Sequence, residues 1–186
     1  FEHLEFRTLK DRLKPISLAT DGNQSAHKAE ENEPEFSLFG SDIDSAVLTS
    51  QEISERIEKR SGPIALAYEI VEDKIHRYAV ALDRSTAYLV HESTMGDWAQ
   101  SVAVEKIAHD AKTVARENGL TGVIFDTGLA AYLVNPGVRA QEVSDLLERW
   151  GDGSQLDKSS PEQLLLTTAC SLFGLRDSLT KELRDR

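Results

Sequence analysis

The sequence predicts an α/β domain with a mixed sheet, an antiparallel meander flanked by helices. Three β-rich runs fall between residues 64 and 91, separated by short polar turns. Two shorter runs follow, and each leads directly into a stretch of helical periodicity. The composition is that of a globular chain: of 186 residues, 40% are hydrophobic and 28% charged. Complete disorder is thereby excluded, and a core of this size needs no covalent staple.

The elements follow in chain order. Residues 1–14, FEHLEFRTLKDRLK, have apolar positions near helical spacing and stop at Pro15, which predicts a helix. Residues 15–44 are polar and acidic, with hardly an aliphatic side chain before Phe36, and read as a flexible linker. His27 in that linker reads as a solvated side chain. A folded domain is expected over 45–186. Thr49 and Glu52 have capping-box spacing, so a helix should start at about Ser50 and run to Arg60. Ile53 and Ile57 form its inward stripe. Strands are expected over 64–70, 74–82 and 85–91, with turns at Glu72-Asp73 and Asp83-Arg84. A short helical stretch around Trp98 precedes a strand, 104–110, and a helix closed by Gly119. The run VIFD is a further strand. Asp126 then caps the helix TGLAAYLVN, which Pro136-Gly137 ends. An amphipathic helix over 139–150 directs Val143, Leu146, Leu147 and Trp150 inward. After a loop, a long helix begins at Pro161, a favoured first-turn residue.

Charge and cysteine usage narrow the function. The 32 acidic and 21 basic residues give −11, unevenly spread. Residues 21–44 carry seven acids and one base, so the linker supplies about half of the total. A net acidic surface repels nucleic-acid phosphate unless basic groups cluster. Arg56, Lys59 and Arg60, and likewise Lys181, Arg184 and Arg186, are interleaved with acids and read as solvated faces. The single cysteine, Cys170, rules out an intramolecular disulfide and a multi-cysteine zinc site. It also points to a reducing, cytoplasmic setting. No apolar run approaches the roughly 18–20 residues of a membrane span. The chain opens on Phe1 and closes on a charged run, so both ends are expected to be cuts through a longer protein.

Familiar catalytic patterns are missing. There is no GxGxxG or Walker loop and no nucleophile elbow. Cys170 lies in LLLTTACSLFGL and reads as a core residue. His76, His91 and His109 sit on or beside different strands, a weak basis for a metal site. Trp98, Trp150 and Tyr132 could stack on single-stranded bases, but their helical spacing among aliphatic residues favours core or rim packing.

Two stretches carry a family resemblance. IAHDAKTVARENGLTGVIFDTGLAAYLVNPG (107–137) resembles the second exonuclease motif region of the bacterial family A DNA polymerase I group. FEHLEFRTLKDRL (1–13) is similar to that family's segment joining the 5′ nuclease part to the exonuclease domain. GPIALAYE (62–69) stands where the family carries its first exonuclease motif. The resemblance implies a ribonuclease-H-like, DnaQ-like 3′→5′ exonuclease fold. It implies DNA as a partner in the intact enzyme, with polymerase and 5′ nuclease domains on the same chain. It also implies a monomer acting in replication and repair.

The departures from the family pattern concern metal ligands. The family's Asp-x-Glu reads Ala67-Tyr68-Glu69 here, so Glu69 is kept and the aspartate position is Ala67. Matching the second motif to Asp110–Val114 puts Val114 where a metal-binding aspartate is expected. The third motif's tyrosine and aspartate fall on Ser159 and Gln163. Holding two dications takes roughly four nearby negative charges. The expectation is therefore a vestigial site with no metal and no cofactor in this segment, magnesium belonging to active relatives. Glu69, Asp110 and Asp126 are the residual carboxylates that could sustain a weak metal-dependent exonuclease. A third reading is a protein-interaction module that docks through the acidic linker.

Overall fold

β2 (Ile64–Val71) organises the sheet, because its even-numbered and odd-numbered side chains feed two separate apolar layers. The computed structural model describes residues 43–72, 74–137, 142–151 and 155–185. The expected helix over 1–14 lies outside the described residues, as does nearly all of the linker over 15–44.

β2 pairs antiparallel with β3 (Lys74–Ala81), which pairs antiparallel with β4 (Thr86–Val90). This is the expected meander. On its other side β2 pairs parallel with β5 (Lys106–Ala108), and β5 pairs parallel with β6 (Val123–Asp126). The remaining strand, β1 (Asp44–Val47), joins the far edge parallel to β4. The full order is β1-β4-β3-β2-β5-β6. β1 occupies residues expected at the linker end and the start of the ordered domain. Its sequence, Asp-Ser-Ala-Val, has no apolar alternation, and all four residues are exposed. Pairing with the edge of β4, rather than any local signal, makes it a strand.

One face of the sheet is covered by α1 (Ser50–Glu58), a short 3₁₀ turn (Asp97–Ala99) and α2 (Ala111–Asn118). The α1 capping box forms as the Thr49 and Glu52 spacing predicts, with Ile53 and Ile57 buried. Trp98 is buried in this layer beside Tyr78. Arg56 is exposed, as expected of a solvated face, and it also has an aromatic partner. Its guanidinium lies 4.6 Å from the Tyr88 ring centroid and donates to Tyr88 Oη at 2.9 Å. Gly119 closes α2 in the left-handed conformation, as its position predicts.

The other face carries α3 (Thr127–Val134), α4 (Val143–Trp150) and α5 (Pro161–Arg184). Beneath them the sheet presents mainly alanines: Ala65 and Ala67 on β2, Ala79 and Ala81 on β3, Ala87 on β4. Small side chains let α5 settle close to the backbone of the sheet. α5 is buried on more than one side, through Leu165, Leu166, Ala169, Leu172, Phe173, Leu175 and Leu179. The sheet contacts one side of it, and α3 and α4 contact another. Leu146 of α4 is fully buried, with Val143, Leu147 and Trp150 packed against the same core. Tyr132 departs from the expectation of core or rim packing. α3 turns its small residues Ala130 and Ala131 inward and leaves Leu129, Tyr132 and Leu133 more than half exposed. Among the described residues, no helix is long and apolar enough to cross a membrane.

Candidate functional site

Glu69, the carboxylate singled out on the first long strand by the sequence, sits near the C-terminal end of β2, on the face that meets α5. Its surroundings follow from an irregularity in the β2–β3 hairpin. Val71 pairs with Lys74 and Ile70 with Ile75, but the next partner of Glu69 is Arg77, not His76. His76 is the extra residue of a bulge, and the parity of β3 changes there. Ile75 faces the α1/α2 layer, and Arg77, two residues on, shares a face with Ala79 and Ala81 under α5. Arg77 is thereby aimed across Glu69 towards the start of α5.

Arg77 makes two charge-assisted contacts. Its Nε donates to Glu69 Oε2, and its Nη1 donates to Glu162 Oε1 in the first turn of α5. Its side chain is only 13% exposed, while the two carboxylates are each about one-third exposed. His76 Nδ1 lies 3.4 Å from Glu69 Oε2. The hydrogen bond from Arg77 holds the Glu69 carboxyl below the usual carboxylate range, with His76 adding to it and partial burial opposing it. The Glu162 carboxyl is also held down, first by the backbone amide at its helix start and then by the charge of Arg77.

A second group of carboxylates lies at the β5–α2 junction. Tyr68, the neighbour of Glu69, points to the opposite face, where its hydroxyl donates to the carbonyls of His109 and Asp110. Burial, then the nearby charges of Asp110 and Asp126, push its phenol well above the ordinary tyrosine range. Asp126 is committed to backbone amides. Its Oδ1 accepts from Gly128 N at 2.9 Å, Leu129 N at 3.2 Å and Asp110 N at 3.2 Å; its Oδ2 accepts from Ala111 N at 2.8 Å. One side chain thus caps the starts of both α2 and α3, which extends the capping role expected for it. Asp110 adopts a left-handed backbone, φ 51°, and its carboxylate accepts from Thr113 Oγ1 at 3.0 Å. His109 Nδ1 lies 3.0 Å from Thr127 Oγ1.

The positions read from the sequence do not form one cluster. Ala67 is 5% exposed and belongs to the core beneath α5. Val114 is fully buried in the core on the other face of the sheet, one turn inside α2. It therefore does not share a core layer with Ala67. The residues at the end of β5, His109 and Asp110, are the ones that meet β2. Gln163 serves the start of α5: its amide donates to Ser160 Oγ at 3.1 Å. Ser159 precedes the helix, its amide bonded to Asp157. From α5 it is Glu162, one residue before Gln163, that reaches the Glu69 side.

Sequence reasoning missed Arg77 and Glu162. An opposite-charge cross-strand pair was a usable signal in the hairpin, but an unbulged register would have placed His76 opposite Glu69. His76, His91 and His109 stay apart, and among the described residues no three His, Cys, Asp or Glu side chains are arranged to hold a metal ion. Among the described residues the donor set does not fit a pair of dications, which takes several free carboxylates converging on one point. Ala67 offers no ligand, Asp110 and Asp126 are spent on local hydrogen bonds, and a guanidinium stands between Glu69 and Glu162. Cys170 is buried, and burial pushes its thiol up to about 12.

No protein-family model matches the chain. DNA polymerase I of Mycobacterium tuberculosis is 28% identical over 170 residues, covering 81% of this chain and 18% of the relative. The Mycobacterium bovis enzyme gives the same figures. The polymerase domain of Pol1 from M. smegmatis, solved with primer-template DNA and dNTP, superposes with a TM-score of 0.62 at 25% identity. It covers 76% of this chain and 28% of that one. The chain is homologous to mycobacterial DNA polymerase I. It spans under a fifth of the length of the curated DNA polymerase I relatives it matches. Brucella melitensis NrnC matches at 12% identity with a TM-score of 0.52, covering 80% of this chain and 77% of that one. A nuclease solved in its apo form gives 18% identity and 0.57, over 78% and 84%. The sheet order and these neighbours establish the ribonuclease-H-like, DnaQ-like exonuclease fold for this DNA polymerase I homologue.

Proposed function

We propose that this segment is the exonuclease-like domain of a DNA polymerase I in which the proofreading site is closed, and that it serves as a structural domain for the polymerase. The observation that carries this reading is the Glu69–Arg77–Glu162 bridge beside a buried Ala67. A nuclease of this fold class needs several carboxylates free to bind metal, which polarises the phosphate and activates water. Here the one retained motif carboxylate is neutralised within the protein. The apolar outer face of α3, with Leu129, Tyr132 and Leu133 exposed, supports a contact with another part of a longer chain. On this reading residues 1–14 come from the preceding 5′ nuclease region, 15–44 are a linker, and the whole acts on DNA in the cytoplasm as a monomer. Replication and repair are then properties of the intact polymerase.

The test is a 3′ exonuclease assay on end-labelled single-stranded DNA, with magnesium and then manganese, beside a Glu69→Gln control. The expected result is no shortening at high protein concentration. Metal-dependent shortening that disappears in the control would overturn the reading.

A further inference from the structure

We propose that the Arg77 guanidinium has taken over the electrostatic role of the metal ion, as a permanent cation that ties Glu69 of β2 to Glu162 of α5. The proposal rests on the reading of this segment as a closed exonuclease-like domain and says what closed it. In a metal site of this fold, a dication keeps carboxylates from different elements together against their mutual repulsion. The same problem exists here. Glu69 comes from the sheet and Glu162 from a helix 93 residues further on, and both approach one point on the α5 face. One guanidinium answers it, with Nε on the first carboxylate and Nη1 on the second.

Three features make Arg77 a fixed part of the site. The bulge at His76 turns Arg77 onto the α5 face, so the backbone itself selects it. The alanine-lined floor, with Ala67 and Ala79, leaves room for its long side chain beside the helix. Arginine stays charged across the working pH range, so the bridge needs neither metal nor a particular protonation of its own cation. A dication arriving at Glu69 would have to displace the guanidinium. That would leave a cation 13% exposed without its partners, an unfavourable exchange.

The test is thermal unfolding of the full chain followed by circular dichroism, in EDTA and in millimolar magnesium or manganese chloride. Wild type should melt at the same temperature in all three. Arg77→Met should melt lower in EDTA by roughly 4–8 °C, and manganese should raise its melting temperature by bridging the freed carboxylates. Glu69→Gln with Glu162→Gln, added to Arg77→Met, should remove that response and recover most of the lost stability. Arg77→Lys, which keeps the charge without the fork, should fold and show no manganese response, and serves if Arg77→Met does not fold. An unchanged melting temperature in Arg77→Met overturns the proposal. So does an equal manganese response in wild type and variant, or none in the variant. A manganese response in Arg77→Lys overturns it too. DNA degradation by wild type refutes the closed-site reading instead, and leaves these melting temperatures to decide the role of Arg77 separately.

Discussion

Replacing Asp126 with alanine should weaken the domain at two helix starts at once. The carboxylate accepts four backbone N–H groups, two at the start of α3 and two at the α2 junction. Loss of an ordinary N-cap costs about 0.5–2 kcal/mol. The α2 start has no side-chain cap of its own from Asp110, so its first amides would lose a charged acceptor as well. A hydrogen bond to a charged group contributes about 1.5–3 kcal/mol. Allowing for partial replacement by water, the sum is about 2–4 kcal/mol, or a melting-temperature drop of about 5–12 °C in a domain of this size. Urea unfolding followed by circular dichroism measures it, with an unchanged slope expected because the surface exposed on unfolding is the same. Asp126→Asn keeps one acceptor oxygen and should fall between wild type and alanine. The loss should be the same with and without EDTA, since the partners are amides. A loss under about 0.5 kcal/mol in Asp126→Ala would refute the double-cap argument.

Three further outcomes follow from the packing. Ala79→Leu should destabilise by about 1–3 kcal/mol or more, because Ala79 is fully buried on the floor beneath α5 and the extra carbons have no free volume; a chemical denaturation midpoint equal to wild type would contradict the close seating of the helix. Lys106 is fully buried, with Nζ donating to Ser101 O at 2.9 Å and Val104 O at 2.7 Å. Burial pulls its pKa down to about 8, below the unfolded value. Between those values the unfolded chain binds more protons, so this group's contribution to stability rises as pH increases above about 8. Urea midpoints measured on either side of that window should increase in wild type relative to Lys106→Met; parallel profiles for the two would count against it. Gly122 belongs to the same cradle. At φ +69° it sits where an added Cβ would meet Val104 O at 2.6 Å and Lys106 Nζ at 3.2 Å. Gly122→Ala should therefore melt lower than wild type in the same unfolding assay.

Local sequence determined most of the elements, because their signals are short-range. Thr49 and Glu52 specify the start of α1, Asp126 and Ser160-Pro161 the starts of α3 and α5, and Gly119 the end of α2. The β-rich runs and their polar turns specify the meander. The placement of Ala67 and Glu69 on one strand was also legible, since residues two apart on a strand keep their spacing in sequence. What the tertiary structure decided depends on contacts between distant segments. β1 exists because β4 offers an edge, and no pattern in Asp-Ser-Ala-Val announces it. Val114 lies behind the sheet from Glu69 because α2 enters its layer on that side, a fact that spacing along the chain does not contain. The bulge at His76 shifts the pairing by one residue and puts Arg77, 8 residues from Glu69 in sequence, across from it and against Glu162, 85 residues from Arg77. A side-chain period of two makes such a shift reverse every face beyond it, so one residue of register settles whether Glu69 meets a histidine at the rim or an arginine beneath α5.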